Sequence, residues 1–92
     1  MNYELYQKKY QYERLINTLQ NNYNKLNDVY YNLISCRKTI KGSIEINNTY
    51  YDKNSLDKII KEIEEYKNLI INNFLPQARY QYNTILNQIS RI

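Results

Sequence analysis

The side chains that most often carry out chemistry are scarce in this chain. Its ninety-two residues include no histidine and one cysteine, Cys36. Neither a Cys/His nor a Ser/His couple can form, and no usual zinc ligand set exists. A single glycine, Gly42, leaves no glycine-rich loop to cradle a phosphate. The tightest acidic cluster is Glu62, Glu64 and Glu65. General acid–base work would need two of these carboxylates on one substrate, but neighbours one and two apart leave a helix in different directions. They read as solvated helix charge. The expectation is a protein that is not an enzyme and that needs no cofactor or metal.

A second chemistry is contact with nucleic acid. Lys8, Lys9, Arg14, Lys25, Arg37, Lys38 and Lys41 could touch phosphates, and the twelve tyrosines could stack on bases. The net charge is +4, and the whole excess lies in residues 1–41, with seven basic and three acidic side chains against six of each in 42–92. These charges are scattered around a helix, and many tyrosines fall on apolar seams that a base could not reach. A nucleic-acid-binding coiled coil therefore ranks last among the readings. The fifteen Asn and thirteen Ile match the coding bias of AT-rich genomes and carry no functional weight.

Cys36 alone cannot form an intrachain disulfide, which argues against a disulfide-stapled secreted fold and for folding in a reducing compartment. Met1-Asn2-Tyr3-Glu4-Leu5-Tyr6 lacks the basic start and apolar run of a signal peptide. No stretch approaches the ~20 apolar residues of a membrane span. Synthesis in the cytoplasm is expected, with any export following a Sec-independent route.

The elements that would position these residues are two long helices. Leu5, Lys9, Tyr12, Ile16, Leu19, Tyr23, Leu26, Tyr30, Leu33, Arg37 and Ile40 alternate spacings of four and three, with only Lys9 and Arg37 breaking the apolar set. That heptad seam predicts one helix over about 3–41, ended by Gly42 after Lys38 and Lys41. Residues 43–53 read as an extended connection, too short to build a sheet, that lays Ile44 and Ile46 over the helix ends. Asn54 is the expected N-cap of a second helix over about 54–91, with Asp57 as a shortened capping-box partner. Its seam runs Leu56, Ile60, Ile63, Lys67, Ile70, Phe74, Ala78, Tyr82, Ile85, Ile89 and Ile92. Pro76 falls inside it, and the continuity of the seam predicts a kinked helix instead of a break. The fold class expected is all-α, an antiparallel two-helix hairpin forming one domain over residues 1–92.

Such a hairpin buries little, and a chain of this size needs more burial to offset the entropy of ordering. Leu15, Val29 and Ile34 stand beside the first seam, and Ile59, Tyr66, Leu69, Ile71 and Leu86 beside the second. The apolar stripe is wider than one helix contact requires. These positions are the candidate partner-binding residues, and the missing helices should come from another protein or a second copy. Tyr10-Gln11-Tyr12 and Tyr80-Gln81-Tyr82 recur near the free ends of the two helices, where they could make one aromatic patch that adds Tyr10 and Tyr80 to the candidate partner-binding residues.

The layout resembles the small helical-hairpin partners that accompany LXG-domain toxins in Gram-positive type VII secretion, across nearly the whole chain. Those relatives join their helices through a W-x-G turn. The counterpart here is Tyr51-Asp52-Lys53, followed by Leu56 and Ile59 where the pattern has apolar residues. The C-terminal Y-x-x-x-D/E export signal of many relatives has no counterpart, since Tyr66, Tyr80 and Tyr82 precede Ile70, Thr84 and Leu86. The resemblance implies a targeting chaperone that packs on the helical N-terminal domain of an LXG toxin, with a second small helical protein as a further partner and co-export as an option. The alternative is a self-assembling homodimeric four-helix structural protein.

Overall fold

The computed structural model describes residues 2–91. Met1 and Ile92, the last position of the expected second seam, lie outside the described residues. Helix α1 spans Tyr3–Thr39, strands β1 and β2 span Ile44–Ile46 and Thr49–Tyr51, helix α2 spans Lys53–Leu69, a π-helical turn covers Ile70–Phe74, and α3 runs Leu75–Ser90. The two helical runs pair antiparallel. The fold is mostly helical, as the heptad spacing demanded, with one small addition at the hairpin tip.

That addition corrects the expected extended connection. Ile44 pairs with Tyr51, Glu45 with Tyr50 and Ile46 with Thr49 in an antiparallel ribbon. Between the strands Asn47 (φ 51°) and Asn48 (φ 63°) both take the left-handed conformation. Asparagine tolerates that conformation better than other side chains do, and two such residues in a row make the turn whose twist matches a two-residue hairpin. Ile44 and Tyr51, paired at the end of the ribbon nearest the helices, are half-buried, whereas Ile46, on the same face but beside the turn and expected over the helix ends, is 52% exposed.

The helix boundaries shift for local reasons. Asn2 caps α1 by accepting from the Leu5 N–H at 3.3 Å. At the other end Ile40 leaves the helix with ψ 129° and is buried, so α1 stops at Thr39 and not at 41. Gly42 (φ 87°) supplies the left-handed step two residues later. Asp52, not Asn54, caps α2: its carboxylate accepts from the Ser55 N–H at 2.8 Å and the Ser55 hydroxyl at 3.0 Å. Asp57 is therefore free of capping duty and pairs with Arg37 across the hairpin.

Pro76 is absorbed by the π turn. The Leu75 N–H bonds the Ile70 carbonyl five residues back, and Pro76, which has no N–H, follows within the first turn of α3. Upstream the inward positions are Leu56, Ile60, Ile63, Lys67 and Ile70; downstream they are Leu75, Ala78, Tyr82, Ile85 and Ile89. The two sets are out of phase by one residue, and a turn that closes on i+5 restores the phase. Phe74, expected in the seam, is consequently turned out and 45% exposed, while Leu75 takes its place at 1% exposure.

The molecule is a single layer of helices. Its extents are 64 × 23 × 14 Å and its radius of gyration is 19.5 Å, against about 12 Å for a compact domain of this length. Among the described residues six side chains form the core: Ile40 and Leu56 at the tip, then Ile70, Leu75, Ala78 and Ile85.

Candidate functional site

The chain's polar side chains bridge the two helices rather than converge on a pocket. Arg37 donates to both carboxylate oxygens of Asp57, the longer contact at 3.2 Å. The Asp57 carboxylate holds the Arg37 guanidinium above its ordinary pKa, first by hydrogen bonding and then by charge. Lys67 places its ammonium 4.2 Å from the ring centre of Tyr30 and within 6 Å of those of Tyr31 and Tyr23, a cation–π arrangement. The Tyr82 hydroxyl donates to Glu13 at 2.7 Å, and Lys9 lies 3.7 Å from the same carboxylate. Donating to Glu13 raises the Tyr82 pKa, with desolvation adding to it. The three positions that interrupt the heptad pattern, Lys9, Arg37 and Lys67, thus all find partners, two of them across the hairpin.

The apolar seams are only half-covered. Leu5, Tyr12, Ile16, Leu19, Tyr23, Leu26, Tyr30 and Leu33 are each half-buried, and α1 contains no fully buried residue. Ile60, Ile63, Tyr82 and Ile89 are likewise half-buried on the other run. A helix with one neighbour can cover one side of its apolar stripe and no more.

Five of the exposed apolar side chains, Leu15, Val29, Tyr66, Leu69 and Phe74, lie on one broad face. Leu15 and Phe74 line a groove of about 440 Å³ with Tyr12, Leu19 and Ala78. Tyr66 and Leu69 line a second depression along the same helical run, beside Glu62 and Glu65. Val29 is two heptads from Leu15 and so shares its side of α1. Leu69 and Phe74 are five residues apart across the π turn, as Ile70 and Leu75 are, so they stack on one side just as that buried pair does. Leu15, Val29, Leu69 and Phe74 are each between 38% and 45% exposed, and Tyr66 62%. The opposite face is more polar, with Gln20, Asn24 and Arg79 around Ile71.

Seven of the ten candidate partner residues are exposed: Tyr10, Leu15, Val29, Tyr66, Leu69, Ile71 and Tyr80. Ile34, Ile59 and Leu86 are half-buried. The two Tyr-Gln-Tyr segments do not merge into one patch. Tyr12 and Tyr82 turn inward while Tyr10 and Tyr80 point out, because residues two apart diverge by about 200° around a helix. Nor do Tyr51, Asp52 and Lys53 make the turn of the hairpin: Tyr51 ends β2, Asp52 is a cap and Lys53 opens α2, and the chain reverses at Asn47–Asn48.

Sequence reasoning missed Leu75 and Phe74 in their actual roles. The signal was present in Pro76 and in the downstream 3-4-3-4 spacing, which fits Leu75 better than Phe74. No described helix is long and apolar enough to cross a membrane, and the described residues contain no group of three or more acidic or Cys side chains placed to hold a metal. Compared with protein-family models, curated proteins and solved structures, the chain shows no match to any.

Proposed function

We propose that this chain is a non-catalytic adaptor that completes a helical bundle with the helices of another protein. The observation that carries the reading is the single-layer architecture. An amphipathic helix of 37 residues has no fully buried side chain, and a line of apolar residues beside it faces outward. Helical domains bury such stripes between two packed layers, and this chain supplies one.

The partner class proposed is the helical N-terminal domain of a type VII-secreted LXG toxin, with the hairpin shielding that domain's apolar faces and supporting its export. The hairpin layout supports this reading; the degenerate turn segment adds nothing to it. Pro76 and the π turn would bend the second helical run so that the hairpin curves around its client. On this reading the export signal would be completed by another subunit. Co-expression with the large open reading frame beside its gene tests the proposal. A soluble stoichiometric complex is expected, and failure to form one with any LXG-type neighbour would sink it.

A further inference from the structure

The open face has a symmetry that emerges only in the folded chain. Leu15 and Val29 stand one heptad either side of Asn22, about 10.5 Å each way along α1. The contacts between Glu13 and Tyr82 and between Tyr30 and Lys67 bracket Asn22, and interpolation between them places it level with Phe74, at the end of the π turn. Asn21 and Tyr23 line one depression with Ile71, Leu75 and Arg79, which agrees with that level. A twofold axis lying over the face there, across the long axis of the hairpin, exchanges Leu15 with Val29 and sets Phe74 against its own mate.

A surface that maps apolar residue onto apolar residue under a twofold rotation is complementary to itself. We infer that this face pairs with a second copy of the chain, antiparallel and face to face, α1 on α1 and π turn on π turn, in a four-helix bundle. The areas agree. The chain exposes 7252 Å², where a compact monomer of 11.3 kDa would expose about 5,700 Å². The excess reflects the elongated single layer, whose broad face, 64 × 23 Å in extent, is larger than the ~800 Å² that each partner contributes to an ordinary stable interface. The residue on the axis, Asn22, is uncharged, and the groove is rimmed by Gln77 and Gln81, so pairing brings no like charges together at its centre. This inference goes beyond the client reading and does not need it: the homodimer is the resting form, and client helices would displace one copy.

The axis gives a test. In sedimentation equilibrium at micromolar concentration the full chain should have twice its 11.3 kDa mass. In a Cys36→Ser background, Asn22→Cys should form an intermolecular disulfide under mild oxidation. Asn24→Cys, which faces the opposite side, should not. Cys36 of the unaltered chain lies about 42 Å from its mate, so that chain should not cross-link within the dimer. Asn22→Glu, which places two carboxylates at the axis, should shift the chain to monomer with its helicity intact. A monomeric unaltered chain, or a dimer cross-linked through Asn24→Cys and not Asn22→Cys, overturns the inference. A dimer that accepts no client sinks the adaptor reading alone, and a monomer that does accept one sinks this inference alone.

Discussion

Two stretches of the second helical run pack on the same α1 in different ways. From Ile70 to Ile85 the inward positions include four buried side chains, Ile70, Leu75, Ala78 and Ile85. Between Leu56 and Ile70 no inward side chain is fully buried, and Lys67 fills the space by lying over Tyr30. Small and branched side chains let two helices close on each other, whereas a lysine stem and a tyrosine ring hold them apart with a charge between them. The first stretch supplies burial, and the second supplies a polar pairing that ties Lys67 to its level on α1. A sliding of one helix would leave that ammonium without its rings.

The largest expected break in this comparison is Leu75→Ala. Leu75 is the most enclosed side chain, and truncating a buried leucine costs about 3 kcal/mol, or roughly 15 °C in Tm for a domain of this size. Circular dichroism melts of dilute protein would read it. Phe74→Ala, though it removes the larger side chain, should cost less than about 1 kcal/mol when both changes are read in the monomeric Asn22→Glu chain, where Phe74 is a surface side chain. A reversed order would mean that the helix runs in α register through Phe74. Lys67→Gln removes the cation from above Tyr30 while keeping a long side chain, and should lower stability by about 1 kcal/mol.

A smaller effect sharpens the contrast at the tip. Accepting the Ser55 N–H, and then its hydroxyl, holds the Asp52 carboxyl below its ordinary pKa. A depressed folded-state pKa means that the stabilisation is present above the unfolded value near 3.9 and is lost as pH falls through the folded value. The Tm gap between the unaltered chain and Asp52→Ala should thus be constant near neutrality and close in acid. Smallest of all, Asn48→Gly suits the left-handed turn and should raise stability by a few tenths of a kcal/mol, read as a slight rise in the same melts.

Much of the hairpin was legible before the fold was known. Leu5 to Ile40 and Leu56 to Ile70 could be assigned because a 4-3 spacing has one regular solution, a helix with those residues on one side. The candidate face was legible in part: Leu15, Val29, Tyr66 and Leu69 stood off the seam and are exposed. Phe74 was misplaced because a spacing of four looked continuous across Pro76. The ribbon was missed because Asn47-Asn48 looks like any polar loop until both residues are seen left-handed, and only paired backbone forces that choice.

By itself, the sequence determined that two long helices form, that they pair, and that their apolar stripes are too wide for each other. Those properties follow from local periodicity and from side-chain area, which every window of the chain carries. The tertiary structure decided the phase across Pro76, the partners of Arg37, Lys67 and Glu13, and the gathering of five apolar side chains on one face. Each of these depends on which residues of two distant segments come level with each other, and that is fixed only when the helices pack.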